Sequence, residues 1–537
     1  MHISEFYRHD SMAQIYYVDA QLGHDSNNGT NPHEAWQSLE NVNTIAFQPG
    51  DSILFKTDCE WFGHLHPHGS GTVNERIKIG SYGTGSRPAI HGMGVTSVIL
   101  LVNQEYWEIS HLEITNKNPK GDVQGPRRGI DIQNVNYGND TNQVTNLDTI
   151  TKLHDFYIHD MYIHDIQGED KKDADGSAGI QFSVLIPNIS EGIPAEHSVN
   201  QRSTFDGIRI ENNELRNIDR SGIIFWTDWK SRDLLRHADF LYGDKTKTPW
   251  TPILNTYIAR NKLFNIGGDG IAPHMTESAV IEYNFIDGYN TTSEGFNAGM
   301  WVWNSDNALF QYNEATGGIS IRDGMPWDFD QANKGTIYQY NYSYGNEGGT
   351  LLICPENEGN GIVDCIFRYN LSYNDLYQTF TIGVGDTAQN IQVHNNVFYL
   401  DETMNTNHMV AQGGNNHAEI FNNIFVNYGT GTYTKKDKWQ YRHNLYVGNN
   451  VPDYETIPDV QPLYSDPQFV NTDFPGTILN KDMETRDVTD WSALDGFQVL
   501  MTSPAIDAGV PVSKDSLDFY KNKSGHYANI GLDQKTR

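Results

Sequence analysis

Residues 309–344 read LFQYNEATGGISIRDGMPWDFDQANKGTIYQYNYSY. Two nearly identical segments, LFQYNEAT and IYQYNYSY, frame a run of acids and an indole. Each segment alternates apolar and polar residues over five or six positions and then meets a glycine-containing turn, which is the period of a strand. Working outward in both directions, the same pattern returns as IRIENNEL, YIARNKLF, VIEYNFID, IFRYNLSY, IQVHNNVF, EIFNNIFV and QYRHNLYV. The shared asparagine falls at Asn213, Asn261, Asn284, Asn313, Asn341, Asn370, Asn396, Asn423 and Asn444. From Asn261 onward its steps are 23, 29, 28, 29, 26, 27 and 21 residues. An approximate period in this range marks a solenoid and not a row of globular domains. Stacked copies place each strand parallel to the next at about 4.8 Å, and the amide side chain, both donor and acceptor, pairs with itself from coil to coil. The expected fold is all-β, a parallel β-helix, with these asparagines as architecture.

The flanks fit that frame. Asn31-Pro32 carries the signature of a helix start, with Ala35, Trp36, Leu39 and Val42 on one apolar face. A helix there suits an N-terminal cap over the first open sheet edge. Beyond Gly448 the repeat fades into short strands and turns, YSDPQFVN, DGFQVLMTSPAIDAGVP and ANIGLD, expected to form a C-terminal cap. The expected organisation is an extension over 1–15, cap and first coils over 16–100, the β-helix with its cleft over 101–450, and last coils with the cap over 451–537.

Composition narrows the partners. The 537 residues carry 37 Lys and Arg against 68 Asp and Glu, a net charge of −31, which neither nucleic acid nor an anionic membrane surface would attract. No apolar run reaches the length of a membrane span. The three cysteines have neither metal-ligand spacing nor a disulfide framework. Aromatic residues make up 12% of the chain, enough to supply stacking platforms for sugars as well as a core.

A second strip runs in step with the asparagines: AGIQF, SGIIFW, DGIAPH, AGMWVW, DGMPWDFD and GGTLLICPE, sharing a glycine at 179, 222, 270, 299, 324 and 349. On this register Asp269, Ala298 and Asp323 align, Glu347 lies one place off, and Trp226, His274, Trp301, Trp303, Trp327 and Asp328 share the wall. Glycoside hydrolysis needs two carboxyl groups flanking the bond, at about 5–5.5 Å for retention or about 6.5–9.5 Å for inversion, and adjacent or alternate coils supply either spacing. Crowded carboxylates also raise one another's pKa, so that one stays protonated as general acid. Asp328, Asp330 and Glu347 are the candidate catalytic residues. Asp323, Trp327, Asp269, His274, Trp226, Trp301, Trp303, Arg322 and Glu356 are the candidate substrate contacts. No cofactor is expected, with Ca²⁺ on the acidic group as the alternative. The insertion Thr227–Pro252, with Lys230 and Arg232, is placed to form one wall of a groove.

Three stretches carry a resemblance: YYVDAQLGHDSNNGT…PGDSILFK, QYNEATGG…DGMPWDFD…TIYQYNYSYGNEGG, and DPQFV…GFQVLMTSPAIDAG. They resemble secreted bacterial right-handed parallel β-helix glycoside hydrolases, the group that includes xylan-active enzymes and α-L-fucosidases. The resemblance implies a right-handed solenoid acting on a plant or algal polysaccharide or its oligosaccharides, exported to the periplasm or beyond, as a monomer or small homo-oligomer. It implies an Asp nucleophile in the context of Asp328 and a Glu acid on the next coil, where this chain holds Cys354 between Glu347 and Glu356. A polysaccharide lyase on the same fold, using Arg322, Arg220 or Lys230, and a non-catalytic glycan-binding β-helix are the competing expectations.

Overall fold

A computed structural model describes residues 12–135, 151–186, 202–235, 248–319, 322–355, 361–376, 378–382, 387–405, 408–410, 417–435, 437–479, 491–512, 517–521 and 528–534. Among the described residues, three long sheets of 16, 14 and 11 strands run along one axis, with consecutive strands of each sheet coming from consecutive coils. The chain is a right-handed parallel β-helix. One coil shows the course of the rest. Leu309–Gln311 joins the 16-stranded sheet, Glu314–Gly318 the 14-stranded one and Trp327–Phe329 the 11-stranded one, before Ile337–Gln339 returns to the first.

Alternation decides what fills the interior. On the 16-stranded sheet the inward column Ile210, Ile258, Ile281, Phe310, Tyr338, Phe367, Val393, Ile420 and Tyr441 is in register and shielded from solvent. Each such side chain taken from water contributes roughly 1.5–3 kcal/mol. The column belongs to one core that begins at Val18 and continues to Ile457.

The asparagine ladder forms as expected. From Asn213 to Asn423, each Nδ2 donates to Oδ1 of the next ladder asparagine at 2.9–3.1 Å. The backbone N–H of the same residue donates to that oxygen as well. The residue before each rung is left-handed, with φ between 52° and 58°, even where it is Arg260, Tyr283, Tyr312, Tyr340 or Tyr369. That conformation costs a non-glycine residue roughly 1–2 kcal/mol, which the ladder bonds offset.

The N-terminal cap differs from expectation in detail. The N-terminal helix is two short pieces. Asn31 caps a 3-10 turn at Pro32–Glu34, a separate helix spans Glu40–Thr44, and Trp36 between them pairs in β fashion with Val18. The apolar spacing reflects burial of Trp36, Leu39 and Val42 against the first coils, which a bent segment achieves as well as a continuous helix. The last rungs are Asp459–Val460 and Leu463–Tyr464. Beyond them the chain also folds back along the outside of the 14-stranded sheet. Leu494, Phe497, Ile506, Phe519 and Leu532 pack there on Tyr340, Tyr342, Tyr373 and Tyr399.

Candidate active site

The site lies on the outer face of the 11-stranded sheet. Strand pairing sets two outward columns. Ile224, Ala272, Trp301, Asp328 and Leu352 form the first; Trp226, His274, Trp303, Asp330 and Cys354 form the second. Trp301 and Trp303 therefore face outward, though they expose little, because they pack with Ile224, Leu235, Ala272 and Ala332 in a second apolar cluster. The Trp226 and Trp303 rings stack at 5.9 Å with 6° between planes, and Lys230 Nζ lies 4.9 Å over Trp226.

Trp327 requires a correction. In the strand Trp327–Phe329 neighbouring side chains point to opposite faces, so the outward Asp328 sends Trp327 and Phe329 inward. Trp327 is completely buried in the main core, in register with Met300 and Leu351 and 5.7 Å from Tyr338. The glycine register also shifts here. Asp323 pairs with Asn297 while Trp327 pairs with Met300, so one extra residue is bulged out between them. Ala298 is consequently not opposite Asp323, and Asp323 and Gly324 adopt φ of 56° and 91° to make the kink. Gly222 and Gly270 are required for closeness instead: a Cβ at either would lie 2.5 Å or less from the next coil's carbonyl.

Four aspartates line this wall in different electrostatic states. Asp269 is fully buried and fully bonded. Its Oδ1 accepts from Trp301 Nε1 at 2.9 Å and Ala298 N at 3.2 Å; its Oδ2 lies 3.1 Å from Lys172 Nζ and 3.2 Å from Arg220 Nη1. Burial works to raise its pKa, but Lys172 and Arg220 outweigh it and hold the group below the usual carboxylate range. Asp323 is pushed up to about 6, chiefly by burial, with Lys172 opposing and Asp269 adding to the rise. Asp328 is raised well above its ordinary value by complete burial and then by the charges of Asp330 and Asp323. Among the described residues, its enclosed Oδ1 makes no hydrogen bond. Asp330, half-buried at the strand's end, accepts from Gln331 N at 2.6 Å. Asp328 and Asp330, two residues apart on one face, have Cα atoms roughly 6.6 Å apart.

His274 is buried, and desolvation followed by Lys172 depresses its pKa to about 3, so the ring is neutral. Its Nδ1 accepts from Trp303 N at 3.0 Å, which leaves the proton on Nε2. Arg322 is exposed, its guanidinium 5.1 Å from the ring centre of Phe296. Glu347 is exposed on the turn before Leu351–Ile353, beside the Asp323 kink but off the outward columns. Glu356 lies outside the described residues. The described part of the insertion is pinned to the wall through Arg232, which bonds Asn304 and Asp306 at 2.7 Å. Among the described residues, metal-ligating atoms converge only at His111, His159 and Asp160, where the 16- and 14-stranded sheets meet, away from these aspartates.

Sequence reasoning missed Lys172. It lies in the polar loop EDKKDADG, far along the chain, and nothing local distinguishes it from a solvated lysine. Arg220 was singled out only for lyase chemistry, whereas here it is buried between Asp170 and Asp269.

A parallel β-helix with indoles and carboxylates on one outer wall is an architecture for binding and processing glycans. The chain is similar to a lacto-N-biosidase of Bifidobacterium longum subsp. longum, at 29% identity over 94% of this chain and 35% of the relative. It therefore spans about a third of the length of that curated relative. Two crystal structures of a GH136 lacto-N-biosidase from Eubacterium ramulus superpose with a TM-score of 0.60 each. They match at 27% and 25% identity over 76% and 78% of this chain and 67% and 68% of theirs. No protein-family model matches the chain.

Proposed function

We propose that this chain is a glycoside hydrolase of the lacto-N-biosidase kind, acting on an oligosaccharide through Asp323 as general acid and Asp330 as its partner carboxylate. The observation that supports it most is the line of carboxyl groups on one wall, two partly open to solvent and one sealed between them. Asp323, enclosed and raised to about 6, retains a proton in mildly acidic solution. Asp330 accepts the backbone N–H of Gln331 at 2.6 Å. Both remain partly open to solvent, whereas Asp328 between them is sealed. In the reaction Asp323 passes its proton to the glycosidic oxygen as that bond breaks. Asp330 then attacks the anomeric carbon or takes the proton of the attacking water. Asp328 lies sealed on the same face, two residues before Asp330.

This assignment moves the acid from Glu347 to Asp323, since Glu347 stands exposed on a turn outside the columns. The lyase reading loses support because Arg220, one of its candidate cations, is already engaged by Asp269.

The test is a panel of chromogenic glycosides of lacto-N-biose, xylose and L-fucose, with absorbance of unsaturated products followed on uronate polysaccharides. Release from the lacto-N-biose glycoside, lost in Asp323→Asn and in Asp330→Asn but kept in Glu347→Gln, is the expected result. Cleavage of the xyloside or fucoside alone would redirect the specificity to that implied by the sequence resemblance. Unsaturated product, or full turnover in both aspartate variants, would overturn the proposal.

A further inference from the structure

The loop that carries Lys172 crosses the outer face of the 11-stranded sheet as a strap, tied down at three places. At one end Asp170 accepts from Ser293 Oγ at 2.6 Å and Glu294 N at 2.8 Å and lies 3.0 Å from Arg220 Nε. At the other, the carbonyls of Ala174 and Gly176 accept from Arg128 at 2.7 and 3.0 Å, and Gln181 Nε2 also reaches Ala174 O at 2.8 Å. Between them Lys172 reaches inward. Its ammonium lies 3.1 Å from Asp269 Oδ2 and 4.6 Å from the centre of the Trp301 ring, and donates to Phe296 O. Trp301 in turn donates Nε1–H to Asp269, and its outward neighbour one rung on is Asp328.

The spacing of these contacts is informative. A lysine that merely solvates a strap has no reason to satisfy a carboxylate, an indole face and a backbone carbonyl together. The carbonyl belongs to Phe296, a ring 62% exposed at the rim, immediately before the Asn297 that pairs with Asp323. One ammonium thus touches the residue before Asp323's partner, the residue beside Asp328, and the buried anion between them.

We propose that Lys172 is a positioning residue of this site. The strap delivers a fixed charge that keeps Asp269 ionised, and the Asp269–Trp301 pair then holds the wall against which Asp323 and Asp328 stand. This rests on the hydrolase reading for its catalytic consequence but not for its geometry. The charged and titratable groups facing Asp269 are Lys172 and Asp170 of the strap, Arg220 from the preceding coil, His274 on its own coil, and Asp323 and Asp328 beyond.

The experiment follows the Trp301 indole N–H by nitrogen-15 NMR on the full chain, assigned with Trp301→Phe, from pH 8 to pH 4. In the wild type the signal moves only slightly, where Asp323 titrates near pH 6, because its own acceptor remains ionised. In Lys172→Met it titrates within the range as Asp269 takes up a proton, while Lys172→Arg restores the wild-type trace. In turnover, Lys172→Met loses at least tenfold in kcat with KM within twofold, and Lys172→Arg stays within threefold of wild type. A wild-type pH trace or wild-type kcat in Lys172→Met overturns the proposal. Should Lys172→Met fail to fold, Lys172→Gln, which keeps a hydrogen-bond donor without the charge, must show the same titration or the proposal falls. If the wild type hydrolyses no glycoside, the hydrolase reading fails and the indole trace alone decides the role of Lys172.

Discussion

The placement of Asp323 makes the pH dependence of turnover its most exposed consequence. The perturbation is simply alkalinity. With a pKa of about 6, the carboxyl is protonated in about ten molecules of eleven at pH 5 and about one of eleven at pH 7. If it is the general acid, kcat/KM for a poor leaving group falls about tenfold between those values. The sign follows from the cause: burial disfavours the anion, so the useful proton is present below pH 6 and lost above it. Substituting Asp323→Asn removes both the acid and its titration. The rate then drops about 10²–10⁴-fold and becomes flat across the same interval. A leaving group that needs no proton, such as an activated aryl, recovers much of that loss. Initial rates with a natural-type and an aryl glycoside at half-unit steps from pH 4.5 to 8 measure all of this. A wild-type profile that is level from pH 5 to pH 7, or an alkaline limb that survives in Asp323→Asn, would refute the assignment.

Other outcomes test the scaffold and the parity of the wall. Asn341→Ala removes two bonds accepted from Asn313 and two donated to Phe310 O and Asn370 Oδ1. At about 1 kcal/mol each the loss is about 4 kcal/mol in urea denaturation, and a change below about 1 kcal/mol would contradict the ladder's role. Trp327→Phe should cost about 1–3 kcal/mol of stability and leave KM unchanged, because the ring faces the core. Trp301→Phe should lower kcat by cutting the bond to Asp269, and a reversal of these two phenotypes would mean the strand is turned over. Stability should also fall as pH rises. Asp323, Asp228, Asp375 and Asp459 are raised to about 6 and Glu314 to about 7, each chiefly by burial. Their folded values exceed the unfolded ones, so the associated stability is present below about pH 4 and is lost between about pH 4 and 7, by up to about 3 kcal/mol for each aspartate. Urea midpoints at pH 5 and pH 8 check it.

The solenoid could be read from the sequence because its defining contact is between identical residues at matching positions. An asparagine that must bond its own copy leaves a mark at every coil, and no tertiary detail is needed to see it. The site was legible only in part. The acidic stretch around Asp323–Asp330 and the shared face of Trp301 and Trp303 follow from spacing and alternation. Trp327 and Asp328 cannot share a face, however, and the strip read as a block concealed that constraint. The bulge between Asp323 and Trp327 inserts one residue into an otherwise regular register, a backbone event with no side-chain signature apart from a glycine. Lys172 and Asp269 are about a hundred residues apart in the chain and meet only because a strap folds over four coils. Long-range pairing of that kind is absent from any local pattern.

The asparagine ladder has a bearing on how such a chain can change. Asn213 and Asn261 are separated by 48 residues, against 23 between Asn261 and Asn284, yet the two amide contacts are 2.9 and 3.0 Å. The seam registers one step for each coil whatever the coil's length. Inserted sequence is therefore free to accumulate where the chain leaves the 11-stranded sheet, as at 227–252, without disturbing the spacing of the rungs above and below. Innovation in specificity can proceed on one flank of the cylinder while the opposite edge, held by a single amide per turn, keeps the same ruler.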